Sequence, residues 1–394
     1  MDNNRIKKIL FINFITMTTF NMAHPVTPTL INTIGLPTFM FGVLYSTMAI
    51  AQFVMSPVWG SISDVRGRKK VLILGVLGYG ISQLGFGLAQ SAPLILLFRI
   101  TGGAMSVGYM TASIAYVSDV SSKKDRIKYM SFYTATMSIA SSCGALLGGA
   151  IGGFGYQYAF VTQFALTIVV AICIYLILDE TIEKKTEKVK IYLDHLKPGK
   201  KSTDLKSIIG IMMIVMTLAT IATTAYNSTI NYYVESVLNM PTIVNGIVMA
   251  VAGVIALLMN LFVNPYLGKK FKENKTIVVV LAIAGASIII ASISPNMIIA
   301  LVFLAIFIGS SALVTPLQQS IVSKLAKDNY GEVMGIQGSF KAIGMVTGSL
   351  LSGFIFDYGN KLPFMLGGIC CLIAFVLLSR TFIDDNRDEL KRVG

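Results

Sequence analysis

Apolar runs of about eighteen residues or more recur along almost the whole chain, and no other feature limits its fold as strongly. A run of that length crosses the hydrocarbon core of a bilayer as a helix rising 1.5 Å per residue. Water is absent there, so backbone groups must pair within their own segment. Twelve runs are present, near 9–31, 41–63, 70–90, 93–118, 128–152, 157–179, 207–230, 242–266, 276–294, 296–322, 332–356 and 362–381. Composition agrees: 54% of residues are hydrophobic and only 13% charged, against about 25% charged in soluble domains. The sequence predicts an all-α polytopic membrane protein with twelve transmembrane helices.

The formal charge of +13 raises the question of nucleic acid, and the placement of the cations answers it. Lys and Arg collect in the N-terminal tail (Arg5, Lys7, Lys8), in alternate loops, and beyond Arg380. Loop 2–3 holds Arg66, Arg68, Lys69 and Lys70; loop 4–5 holds Lys123, Lys124, Arg126 and Lys128. The stretch after span 6 and loops 8–9 and 10–11 carry most of the rest. Lys361 stands alone on the opposite side, and Arg99 and Lys341 lie inside spans. Cations favour the cytoplasmic face, so both termini are expected in the cytoplasm of a multi-pass plasma-membrane protein, with no nucleic-acid partner. The N-terminal "MDNNRIKK" and its apolar run are read as a retained first span rather than a leader, since the run exceeds twenty residues without a small-x-small site. Cys143, Cys173, Cys370 and Cys371 fall in apolar runs without metal-ligand spacing and read as small hydrophobes.

The polar segment "EKKTEKVKIYLDHLKPGKK" divides the spans six and six. It marks a linker, 181–206, between helical bundles at 1–180 and 207–394. The halves echo one another: "SPVWG" against "NPYLG", and "GALLGG" at 144–149 against "GSLLSG" at 348–353. Such an offset fits a parallel duplication into two pseudo-symmetric bundles.

Several residues are out of place in lipid. An Arg in a span costs about 2.5–3.5 kcal/mol on insertion scales, so Arg99 faces the protein interior, where Gly103, Ser106, Met110 and Ser113 share its side. Two roles stay open: a charge on the substrate and proton path, or a hydrogen-bond hub for carbonyls. Lys341 lies about 13 Å into span 11 at 1.5 Å per residue. It can meet an anionic substrate, titrate, or reach a carboxylate within the bundle; Met137 is its counterpart in the first half. His24, before Pro25, titrates near neutrality and is either a proton carrier or a satisfied polar group. Asn21, Gln52, Tyr109, Asn227, Asn231, Gln318 and Gln319 are candidate cavity residues, together with Tyr116 and Gln337. Mixed with many methionines, they suit a small amphiphilic substrate. Gly144, Gly148 and Gly152 repeat at i+4 beside Gly149, a pattern that lets helices approach closely. No metal cluster, G-x-S-x-G or G-x-x-x-x-G-K-[ST] motif occurs, which argues against an enzyme, a catalytic site, a cofactor and built-in ATP drive. A channel would need a filter-like repeat or a charged ring, and neither is present.

The loop 2–3 stretch "GSISDVRGRKKVL", Gly60 to Leu72, identifies a family. It resembles the signature G-x-L-A-D-R-x-G-R-K-x-x-L of the major facilitator superfamily through Gly60, Asp64, Gly67, Arg68 and Lys69, with Ile62 and Val65 departing and Arg66 next door. "HPVTPTLI" resembles the family's span 1 segment, Arg99 and Gly103 the R-x-x-x-G of span 4, and "GALLGG" the antiporter motif G-P-x-x-G-G, with Ala145 for proline. The chain is most similar to the twelve-span drug:proton antiporters, which include bacterial tetracycline and quinolone exporters. That resemblance implies a monomeric secondary transporter exchanging amphiphilic compounds for protons, with loop 2–3 as a latch. Intramembrane carboxylates, usual in such antiporters, are nearly absent here, so the proton relay falls to Arg99, Asp119, His24 or Lys341. The alternative with the same fold is a transporter of an anionic metabolite or lipid-linked molecule.

Overall fold

The computed structural model describes residues 3–122, 125–182, 207–326 and 330–393. Among them there is helix and no strand. In chain order the helices are α1 (Asn3–Asn21), α2 (Thr27–Ile34), α3 (Met40–Arg66), α4 (Arg68–Leu88), α5 (Ala92–Val120), α6 (Arg126–Gly152) and α7 (Tyr156–Ile177). They continue with α8 (Ile208–Tyr232), α9 (Thr242–Leu258), α10 (Asn264–Lys270), α11 (Glu273–Ile293), α12 (Met297–Ala326), α13 (Tyr330–Phe356) and α14 (Leu362–Val393). Every expected span falls on helix, and eleven segments are long and apolar enough to cross a membrane without a break.

The first span is the one that breaks. Residues 22–26 form a turn between α1 and α2, because Pro25 has no N–H to continue the ladder. Carbonyls at the end of α1 thereby lose their usual partners, and other helices supply new ones. Gln163 Nε2 donates to the carbonyls of Thr19 (2.8 Å) and Phe20 (3.2 Å). Tyr79 donates its hydroxyl to Phe20 O at 3.1 Å and accepts from Gln83 Nε2 at 2.8 Å. All three side chains are buried, where an unmet carbonyl would cost several kcal/mol.

Two π turns interrupt or end helices of the second half of the chain. At Met259–Val263 the Asn264 N–H reaches back to the Met259 carbonyl, five residues away. Pro265, next in line, cannot donate to Leu261, and the wider turn absorbs the gap. At Tyr233–Val237 the helix ends through Leu238 N–H to Tyr233 O, 3.1 Å. Asn239 then adopts φ 51°, the left-handed conformation that Asn tolerates.

The helices gather into two compact units. One is Met1–Leu193 with Asn231–Val254; the other is Asp194–Ile230 with Ile255–Gly394. From residue 183 the linker expected at 181–206 lies outside the described residues. In the first unit α4 packs on α5 and α7, α3 on α5, and α1 on α6. Its core is built from Ile9, Ile12, Val71, Val76, Tyr109 and Tyr116, among others. In the second, α11 packs on α12 and α14 around Met212, Leu281, Val322 and Leu378.

Helices pack in lipid without a hydrophobic drive between them, so close fit matters more than apolar area. Gly144 and Gly148 place α6 directly on α1: a Cβ on either would run into the carbonyl oxygen of Thr18 or Met22. Gly148→Leu is expected to lower the thermal midpoint of the detergent-purified protein, since overpacking costs about 1–3 kcal/mol. Gly268→Ala, where nothing lies within 4 Å, is the control and should leave the midpoint in place. Equal midpoints for both would refute the packing role of Gly148.

Candidate functional site

Loop 2–3 is a single residue, Gly67, at φ 101° between α3 and α4. Two demands coincide on it. The backbone is in a region that side chains rarely adopt, and a Cβ there would enter the carboxylate of Glu180. That carboxylate accepts from the backbone N–H groups of Arg68 (2.8 Å) and Lys69 (3.2 Å). It therefore caps the N-terminus of α4, where unpaired N–H groups and the helix dipole favour an anion.

Arg68 is the centre of the cluster. Its guanidinium pairs with Asp64 in the last turn of α3, lies 3.0 Å through Nε from Asp119 Oδ2 at the end of α5, and donates to Ser63 Oγ at 2.6 Å. Thr181 donates its hydroxyl to the same Asp119 oxygen at 2.9 Å. Arg68 is only 11% exposed, whereas Asp64 is 63% exposed. The end of α3 and the end of α5 thus meet at one guanidinium, and the chain after α7 joins them through the Arg68 backbone N–H and Asp119. Arg66 is exposed and stands outside the cluster, and Gly60 makes an ordinary contact with Thr111. Asp119, one of the expected relay residues, is a member of this ion cluster.

The other expected residues scatter. Arg99 is buried, donates through Nε to Leu44 O at 3.3 Å and sits 4.7 Å from the centre of the Phe86 ring. Among the described residues no carboxylate pairs with it. Gln52 donates to Ser106 Oγ at 3.1 Å, and Ser113 and Tyr133 share a 2.6 Å hydrogen bond. Asn21 turns back to Met17 O on its own helix at 2.7 Å. Tyr109 is fully buried, and half-buried His24 lies in the turn between α1 and α2. Asn231 reaches Met249 Sδ at 3.3 Å, while Asn227 and Gln319 are exposed. Gln318 donates to Met212 O. Lys341 is exposed on α13. Gly149 lies against Gly246 of α9, and Gly152 against Val26.

The end of the first unit away from loop 2–3 carries a second polar cluster. Asn245 of α9 donates both to Pro25 O (3.1 Å) and to Glu235 Oε2 (3.2 Å). Asn32 of α2 donates to Ser236 Oγ at 2.9 Å and accepts from the Tyr232 hydroxyl at 3.1 Å. Phe41, at the start of α3, stacks on Tyr232 with ring centres 5.2 Å apart. Neither Glu180 nor Asn245 stood out in the sequence. Asn245 did leave a trace, as an amide among the apolar residues that open its span. Among the described residues no group of three or more His, Cys, Asp or Glu is placed to hold a metal ion.

Comparison with known proteins places this architecture. The sequence model of the Major Facilitator Superfamily matches residues 9–344 and, in a second match, 212–393. Multidrug resistance protein 2 of Bacillus subtilis (strain 168) is 25% identical over 368 residues, 92% of either chain. Quinolone resistance protein NorA of Staphylococcus aureus (strain MRSA252) is 22% identical over 394 residues, 99% of either chain. A solved bacterial homologue of the human lysosomal transporter Spinster shares the fold, with TM-score 0.77 and 16% identity, covering 96% of this chain and 97% of that one. With the family matched over most of its length, the chain belongs to the Major Facilitator Superfamily: it is a multi-pass membrane transporter, not an enzyme.

Proposed function

We propose that this transporter exports small amphiphilic compounds, drugs among them, across the plasma membrane in exchange for protons. It works as a monomer by alternating access of two bundles, 1–180 and 207–394, joined by the linker 181–206. Both termini face the cytoplasm, as the cation-rich loops favour. The multidrug-resistance and quinolone-resistance relatives support the class of cargo, and resistance is what outward transport of a drug would confer.

The observation that carries the reading is the cluster at Arg68. It ties the ends of α3 and α5 and the chain after α7 into one frame at the cation-rich face. Its individual bonds are partly exposed and worth about 1 kcal/mol each or less. That scale suits contacts made and broken in every cycle between states of similar energy. Asp64, the most exposed member, is the one able to meet a moving partner.

In proteoliposomes an imposed pH gradient is expected to drive uptake of a quinolone or a neutral dye several-fold faster than the same vesicles without it. Transport that ignores the gradient refutes proton antiport. Asp64→Asn should slow turnover while leaving substrate affinity close to wild type, the signature of a lost conformational contact. Arg68→Ala should be more severe, because Asp64 and Asp119 then confront each other without their shared cation. Wild-type turnover in both variants would overturn the latch.

A further inference from the structure

Among the described residues, Lys341 is a cation without an ion-pair partner. It lies about 16 Å along α13 from Tyr330, at 1.5 Å per residue, inside a segment apolar enough to cross a membrane. A charge at such depth is expensive and calls for a partner. Neither α8 nor α12 contains an acidic residue. Glu273, at the start of α11, is committed to Lys324 Nζ at 2.6 Å and to the Ser320 hydroxyl at 2.8 Å. Among the described residues no carboxylate or carbonyl accepts from Lys341.

Its surroundings exclude a simple escape toward the apolar flank. The exposed Ile343 lies about 160° round the helix from Lys341 at 3.6 residues per turn. Lys341 shares its face instead with Gly344 and Gly348, which are pressed against α8. Cβ atoms on them would stand 2.7 Å from Thr217 O and 2.8 Å from Ile221 O. Yet Lys341 itself is exposed, so the ammonium looks into open space on the α8 side of α13. One turn earlier, buried Gln337 leaves both amide atoms without a partner. Thr220, which touches Gly344, also lines a small cavity shared with Thr223, Ser311 and Met216. The cavity wall mixes hydroxyls with aliphatic and sulfur-bearing side chains and carries no charge.

We propose that the Lys341 ammonium is the docking point for an acidic group on the cargo, so the compounds this transporter binds best are amphiphilic organic acids, carboxylates or sulfonates. The missing counter-charge then arrives with the substrate. This rests on the transporter reading and narrows its substrate class. It does not require proton coupling.

The test is equilibrium binding to the purified full-length protein, read by the fluorescence of 1-pyrenebutyric acid and of its methyl ester. The wild type is expected to favour the acid by about tenfold or more, the effect of one well-placed charged hydrogen bond. Lys341→Met, which installs the residue found at the equivalent position of the first half, should bring the acid-to-ester ratio close to one. Lys341→Arg should keep most of the preference. Equal binding of acid and ester by the wild type, no binding of the acid, or an unchanged ratio in Lys341→Met overturns the proposal. A ratio lost equally in the Arg variant overturns it as well, since charge would then not be what is read. Should the Met variant fail to fold, Lys341→Gln carries the same comparison. No pH gradient is present, so the outcome stands apart from that of the vesicle transport experiment.

Discussion

A peptide group left unpaired in hydrocarbon costs several kcal/mol, and the rest of this structure follows from that penalty. It makes every span a helix. It also decides where a helix is allowed to break. The turn at residues 22–26 exists because buried side chains from elsewhere meet the carbonyls it frees: Gln163 and Tyr79 at Thr19 and Phe20, Asn245 at Pro25. The break and its partners form one device, and the break would be too costly without them. The same accounting explains why Tyr79 and Gln83 are linked at 2.8 Å. A hydroxyl that donates to a carbonyl still has lone pairs to satisfy, and Gln83 satisfies one of them.

Packing answers to the same solvent. Lipid chains are as apolar as leucine, so two spans gain little from burying leucine against each other. They gain from contact distance. Gly144 and Gly148 against α1, Gly149 against Gly246, and Gly344 and Gly348 against α8 bring backbones together with no side chain between them. One of these seams recurs in both compact units: Gly144 of "GALLGG" against Thr18 and Gly348 of "GSLLSG" against Ile221 hold equivalent places, which gives structural content to the weak sequence likeness.

The spans were legible because their signal is local: each apolar run is complete in itself, and most helix ends fell within a few residues of the expected boundaries, although α1 begins before residue 9 and α14 continues past residue 381. Loop 2–3 was legible as a motif for the same reason. What escaped was every interaction whose partner lies far along the chain. Glu180 is 112 residues from the N–H it caps at Arg68, and Asn245 is 220 residues from Pro25. Neither pairing has a spacing to detect. The break in span 1 was half legible, since Pro25 and Pro28 stand in "HPVTPTLI". A proline permits a break, however, and only the distant side chains make it stable. The partner of Asp119 escaped for the same reason. The position of Asp119 near a span end was plain, but the cation it serves is fixed by how α3, α4 and α5 come together.

The two cations within the spans show how one physical problem receives two answers in one chain. Arg99 is enclosed: its planar guanidinium lies over Phe86 and reaches the Leu44 carbonyl, so neutral groups of the first unit spread its charge. A guanidinium suits that task because its charge is delocalised and weakly hydrated. Lys341 has the opposite chemistry, a compact and strongly hydrated ammonium, and it stays exposed with no acceptor among the described residues. Had the second unit needed only a structural hub, the enclosed arrangement would have served, and the first unit manages with Met137 at the position equivalent to Lys341. A costly group with no counter-charge among the described residues is most economically explained by something that comes and goes. In a transporter, the thing that comes and goes is the cargo.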